Sequence, residues 1–174
     1  MQMTQSKGGP AGQTTRLGRV RTALEPLIRR VLHLHWRFSR GLTVGVRAVV
    51  LNEGGEVFLI EHSYVSGWHL PGGGVEPGET LLEALARELW EEGGIALAET
   101  PRLHGVYFNS RVSRRDHVAV YVVRAFRQDR VPQPNHEIIA HGFFHPKSLP
   151  AGVTASTRAR LAEVLDGVAV SERW

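Results

Sequence analysis

A run of three glycines, Gly72-Gly73-Gly74, opens the segment that constrains this chain most. It continues as Val75-Glu76-Pro77-Gly78-Glu79 and on through Arg87-Glu88-Leu89-Trp90-Glu91-Glu92-Gly93-Gly94-Ile95. A glycine-rich loop there leads into helical periodicity, in which Glu88, Glu91 and Glu92 stand at i, i+3 and i+4. That spacing lays three carboxylates on one patch of helix surface. Like charges so placed destabilise a helix by roughly 0.2–0.5 kcal/mol per pair. A divalent cation among them turns the repulsion into ligation, and donors that are all oxygen suit Mg²⁺ or Mn²⁺. A solvated acidic helix face is the plainer alternative.

The apolar positions of the same helix, Leu82, Leu85 and Leu89, fall at i, i+3 and i+7 and form a stripe that must face a core. On a wheel of 3.6 residues per turn Glu88 and Glu92 flank that stripe, and Glu83 points away from it. Arg87 is spaced to pair with Glu91 four residues on and with Glu83 four residues back. Gly93 and Gly94 end the helix as C-cap glycines do.

The whole segment resembles the Nudix box. That pattern is Gly, five residues, Glu, seven residues, Arg-Glu, a large aliphatic residue, any residue, Glu-Glu, any residue, Gly and an aliphatic residue. Gly73, Glu79, Arg87, Glu88, Leu89, Glu91, Glu92, Gly94 and Ile95 fill every fixed position. At Gly93, where many members carry Thr, the pattern leaves the residue open. The likeness extends over about residues 42 to 165 and implies an α/β Nudix fold, a mixed β-sheet sandwiched between helices.

The resemblance also implies chemistry. Nudix enzymes direct water onto a phosphorus of a diphosphate linked to another moiety. By that likeness Glu88, Glu91 and Glu92 ligate Mg²⁺ or Mn²⁺ beside the backbone of Gly72. Gly73 lets the substrate approach the chain closely, because no side chain intervenes. Glu79 and Arg87 brace the loop against the helix. The proton acceptor is Glu91, Glu92 or Glu137, since a Glu before the late strand often completes the site in relatives; a plain surface Glu is the other reading of Glu137.

Composition bounds the rest. The chain of 174 residues suits one domain with a full core plus an appendage. Cysteine is absent, which excludes disulfides, thiolate metal sites and a cysteine nucleophile. No run approaches ~18 apolar residues, and the first residues lack a signal-peptide core, so a cytoplasmic location is expected. Charge is uneven. Residues 1–41 hold eight Lys/Arg (Lys7, Arg16, Arg19, Arg21, Arg29, Arg30, Arg37, Arg40) against Glu25 alone, while the remainder is net acidic.

Three parts are therefore expected: a disordered basic N-terminus over residues 1–22, a basic amphipathic helix over 23–41, and the hydrolase domain over 42–174. Pro26 suits the first turn of that helix, and Leu27, Val31, Leu34 and Phe38 give it an apolar stripe. Packing on the main domain is the first expectation for it. Contact with RNA or a membrane surface is the alternative.

Within the domain, strands are expected over Thr43–Leu51, Val57–His62, Leu103–Phe108, His117–Phe126 and Glu137–Phe144, with a last helix over Thr157–Leu165. The spacing His136-Glu137-Ile138-Ile139-Ala140-His141 does not make a zinc site, because histidines five apart share neither a helix face nor a strand face.

Substrate choice is less constrained. Arg111, Arg114 and Arg115 in the loop between two strands are candidates to bind phosphate, with an exposed hairpin loop as the alternative. Trp68, Tyr107 and Phe108 are candidates to stack on a base, or core residues. The expected partner is a nucleotide-diphosphate small molecule of the nucleoside triphosphate or nucleotide-sugar class. An RNA 5′-end pyrophosphohydrolase and a non-catalytic nucleotide-sensing module stay open, as does a homodimer.

Overall fold

The computed structural model describes residues 41–134 and 136–174. Alternating side chains on the strands decide the architecture. On β1 (Thr43–Val50) Val46, Ala48 and Val50 enter one buried cluster, while Val49 enters another. β2 (Val57–His62) divides the same way, with Phe58 and Ile60 against Val57 and Leu59. A strand whose two faces are both apolar must be covered on both sides. The first cluster is closed by Ala84, Leu85 and Leu89 of α1 (Leu81–Gly93), the second by Leu161 of α2 (Ala155–Leu165). The result is the expected α/β arrangement of strands between helices, with the strands divided between two three-stranded sheets and one two-stranded sheet.

β3 is the short Trp68–His69 and pairs antiparallel with β2; β4 is Ala96–Leu97. β5 (Arg102–Phe108) and β6 (Asp116–Val123) form an antiparallel hairpin, and β1 lies parallel to β6 with Thr43 opposite Asp116. β7 (Phe126–Arg127) pairs with β4, and β8 (Ile138–Phe144) runs antiparallel to β2. The strand expected to run from His117 to Phe126 ends at Val123; Phe126 turns away to pair with Leu97. The strand expected from Glu137 starts one residue later, at Ile138.

The free edge of β1 carries the glycine loop. Val46 N–H donates to the Gly73 carbonyl at 2.8 Å, Ala48 N–H to Pro71 at 3.0 Å, and Val75 N–H to Val44 at 2.9 Å. Gly72 needs its missing side chain: its φ is 132°, and a β-carbon there would overlap the Val46 carbonyl.

α1 is delimited at both ends. Thr80 caps it in a reciprocal capping box with Glu83, and Gly94 closes it in the left-handed conformation at φ 62°. Gly93 is the last helical residue, and a β-carbon on it would press on the Phe58 ring at 2.8 Å. The stripe of the helix is shifted from the sequence reading. Leu82 is exposed, Leu81 packs against the core, and Glu92 is itself buried in line with Leu85 and Leu89. Leu81 lies four residues before Leu85 and packs on the same core cluster, which places it on the buried face. Glu83 is consumed by the cap and does not pair with Arg87.

The disordered segment expected over 1–22 and the amphipathic helix expected over 23–41 lie outside the described residues, but for Gly41. Among the described residues no helix is long and apolar enough to cross a membrane.

Candidate active site

A cavity of about 870 Å³ lies where the glycine loop, α1 and the ends of β1, β2 and β6 meet. The loop contributes Gly72, Gly73 and Gly74, and α1 contributes Glu88 and Glu92. β1 brings Arg47, β2 brings His62, and the chain entering β8 brings Glu137. Local bonding explains each placement. The Ser63 N–H donates to the Glu137 carbonyl at 2.9 Å and the Ser63 hydroxyl to the His136 carbonyl at 2.6 Å, pinning Glu137 at the end of the β2–β8 ladder. The Arg47 guanidinium donates to the Leu70 carbonyl at 3.0 Å, which ties β1 to the start of the loop.

Arg87 joins loop and helix. Its Nε and Nη2 donate to the two oxygens of Glu79 at 2.9 and 3.0 Å, and Nη2 also reaches the Gly74 carbonyl at 3.1 Å. Its Nη1 donates to Glu88 Oε1 at 2.8 Å. One guanidinium thus holds the loop, the helix and a candidate metal ligand in a fixed relation. Bonding to Arg87 holds the Glu79 carboxyl below its usual range.

The three box carboxylates sit in different surroundings. Glu92 is 6% exposed, and its Oε2 accepts the Gly72 N–H at 2.6 Å. Burial pushes its carboxyl up to about 8, against the pull of Arg47 and the Gly72 N–H. Glu88 is also raised by burial, with Arg87 opposing, and it lies so close to Gly73 that a β-carbon there would collide with its carboxylate. Glu91 is 58% exposed at its side chain and stands 3.6 Å from Arg87 Nη1; it is not among the residues that line the cavity.

The fit to a cation follows from this. Among the described residues no three acidic or imidazole side chains close on one point as a ready-made cage. A cage is not what a Mg²⁺-type ion needs, since such an ion keeps several waters and takes one or two carboxylates plus substrate phosphate. Half-buried Glu88 and buried Glu92 are two oxygen donors beside the loop backbone. A cation repays the cost of ionising them there, so the donor set fits a hard divalent ion.

Four lining residues beyond Glu137 had no sequence signal. His62 is buried with its Nδ1 unpartnered among the described residues, and its Nε2 is 3.9 Å from Glu92 Oε1. Burial, then Arg47 and His69, lower its pKa. The His69 ring lies 5.9 Å away, and burial lowers it as well. The Tyr64 hydroxyl donates to Glu137 Oε1 at 3.3 Å and is raised by burial and then by that carboxylate. Arg47 completes the group.

The candidate phosphate ligands lie elsewhere. Arg111, Arg114 and Arg115 are exposed, and none of them lines this cavity; Arg111 borders a separate hollow beside α2. Trp68, Tyr107 and Phe108 do not line the cavity either. Tyr107 is fully buried, and Trp68 packs edge-on against Phe144 at 4.8 Å.

The family model described as the NUDIX domain matches residues 41–165, which takes in the loop, both helices and every strand. The chain belongs to the Nudix family. It is 34% identical over 125 residues to a MutT-like protein of Streptomyces ambofaciens, across 72% of this chain and 78% of that one. A putative 8-oxo-dGTP diphosphatase of Bacillus subtilis is 38% identical over 76 residues, 44% of this chain and 50% of the relative. The crystal structure of a MutT Nudix hydrolase from Burkholderia pseudomallei superposes with a TM-score of 0.60 at 33% identity, covering 70% of this chain and 97% of that one. This Nudix chain is accordingly a pyrophosphohydrolase.

Proposed function

We propose that this chain hydrolyses the diphosphate linkage of a nucleotide, of the nucleoside triphosphate or nucleotide-sugar class, with Mg²⁺ or Mn²⁺ as cofactor. One observation carries the reading: half-buried Glu88 and buried Glu92 stand together on the wall of a cavity of about 870 Å³ beside the side-chain-free backbone of Gly72 and Gly73. That volume lies in the range of small-molecule sites and accommodates a nucleotide. The triphosphate class is supported by the relatives that carry the names MutT-like protein and putative 8-oxo-dGTP diphosphatase.

Glu88 and Glu92 would hold the metal next to the loop, with Glu91 at the exposed margin of the patch. A bound divalent ion supplies Lewis-acid neutralisation of the diphosphate charge. The chain supplies position. Arg87, through Glu79 and the Gly74 carbonyl, keeps the loop at a fixed distance from α1. Gly73 leaves room for phosphate oxygens against the backbone. Water attacks phosphorus, the bond from phosphorus to the leaving oxygen breaks, and the departing group carries that oxygen away. Glu137 takes the proton of the attacking water. It lines the cavity and is oriented by the Tyr64 hydroxyl, whereas Glu91 lies outside and Glu92 has one oxygen on the Gly72 N–H and the other left for the metal.

The test is a panel of nucleoside triphosphates, nucleotide sugars and 5′-triphosphate RNA, incubated with Mg²⁺ or Mn²⁺ and wild type, Glu92→Gln or Glu137→Gln. Wild type should turn over one class, Glu92→Gln should be inactive, and Glu137→Gln should lose well over tenfold in turnover with an unchanged unfolding curve. A near-normal rate for Glu137→Gln removes that residue as proton acceptor. Silence across the panel from folded wild type overturns the substrate assignment.

A further inference from the structure

The family match stops at residue 165, but the chain does not leave the domain there. After α2 it turns at Gly167 (φ 69°) and comes back along β5. Phe108 N–H donates to the Glu172 carbonyl at 2.9 Å, and Trp174 N–H donates to the Phe108 carbonyl at 3.2 Å, so residues 172–174 add a short parallel edge to that strand. A buried ionic knot fastens this strap. Glu163 accepts two bonds from Arg160 at 2.6 and 2.8 Å, one from the Tyr107 hydroxyl at 2.6 Å and one from the Ser171 N–H at 3.0 Å. Arg160 lies over the Tyr107 ring at 4.0 Å and over the Trp174 ring at 5.4 Å.

Trp174 therefore has a fixed ring, edge-on to Tyr107 at 5.9 Å, and it is only partly covered: the same residue lines the catalytic cavity. Asn109 lines it too, one residue beyond the strap's pairing point on β5. The Asn109 Nδ2 is committed to Asp116 Oδ2 at 2.8 Å, and Asp116 Oδ1 accepts from the Thr43 hydroxyl at 2.7 Å. That bond fixes which way the amide faces and leaves the Asn109 Oδ1 as an acceptor without a partner among the described residues. Asn109 itself is 7% exposed. The cavity thus joins two chemistries. Carboxylates and glycine backbone lie along one edge of β1, and an aromatic ring with an oriented acceptor lies beyond the other, on the β5–β6 side.

We propose that Trp174 and Asn109 form the nucleobase subsite: the indole packs on the planar base, and the Asn109 carbonyl accepts a hydrogen bond from a ring or exocyclic N–H of that base. The inference rests on the nucleotide reading above. It assigns base recognition to a strap that lies outside the family match.

The test is calorimetric binding by the full chain of imido-bridged ATP and GTP analogues and of inorganic tripolyphosphate, with Mg²⁺. Wild type is compared with Trp174→Ala and Trp174→Tyr. Removing an aromatic platform weakens binding of a base by roughly five- to hundredfold. Trp174→Ala should lose about tenfold or more towards at least one nucleotide analogue, stay within about twofold for tripolyphosphate, and be largely rescued by Trp174→Tyr. Equal losses for nucleotide and tripolyphosphate would mark Trp174 as structural and overturn the proposal. So would wild type that binds no nucleotide more tightly than tripolyphosphate. Hydrolysis of the panel by the same wild-type preparation reports separately on the function proposed above, so failure of one is distinguishable from failure of the other.

Discussion

Gly73 and Gly74 are neighbours of the same type, yet they answer to different demands. A β-carbon on Gly73 would occupy the place of the Glu88 carboxylate; one on Gly74 would meet nothing within 4 Å. Neither has a positive φ, so backbone strain does not separate them. The missing side chain at Gly73 serves the site, by letting a candidate metal ligand lie against the loop. Gly73→Ala should therefore cut turnover by tenfold or more by displacing Glu88. Gly74→Ala should stay within about 0.5 kcal/mol of wild type in stability, as surface substitutions usually do, and keep most of its rate. Urea unfolding and steady-state rates on the pair check this, and equal rates for both variants would sink it.

At the scale of elements, the link between loop and helix is one guanidinium. Arg87 spreads its donors over Glu79, Glu88 and the Gly74 carbonyl, a planar fork that a lysine ammonium cannot reproduce. Arg87→Lys keeps the charge and loses the fork. It should lower turnover by at least tenfold while costing little stability, because the pair with Glu79 is partly exposed and such pairs contribute about 0–1 kcal/mol. Unchanged turnover would show that the loop is held by β1 alone. The elements also show what sequence reveals and what it hides. The glycines, the glutamates and Arg87 lie within one contiguous stretch whose spacing is set by helix geometry, so their placement on the loop and the helix is legible. The phase of the helix is not legible, since Leu82 matches an apolar stripe as well as Leu81 does, and packing against the core decides between them. β7 is hidden in the sequence because Phe126 continues the apolar run of β6 while pairing with β4. His62, Tyr64, Arg47 and Trp174 converge from distant segments, and no local period announces a contact made by tertiary folding.

Across the whole molecule, the Arg160–Glu163 knot connects α2, β5 and the strap. Burial alone pushes the Glu163 carboxyl up. The bonds from Arg160, from the Tyr107 hydroxyl and from the Ser171 N–H outweigh it and bring the group down to about 2. The same carboxylate raises the Tyr107 hydroxyl, after burial. The sign for stability follows. A folded-state value below the ordinary 4.5 means that the charged form is favoured by folding, so the contribution is complete above about 4.5 and is lost as pH falls towards 2. Its full size is on the order of 3 kcal/mol. Glu163→Gln leaves Arg160 buried without its counter-charge and should cost about 3–5 kcal/mol at pH 7. As the pH drops from 5 to 3, wild type should weaken faster than the variant, so the gap between their urea midpoints narrows. A gap that stays constant over that range would mean that Glu163 is not titrating with folding. Because the knot also seats Trp174 against the cavity, the variant at neutral pH should lose nucleotide affinity more than tripolyphosphate affinity, which couples the acid stability of the fold to base selection.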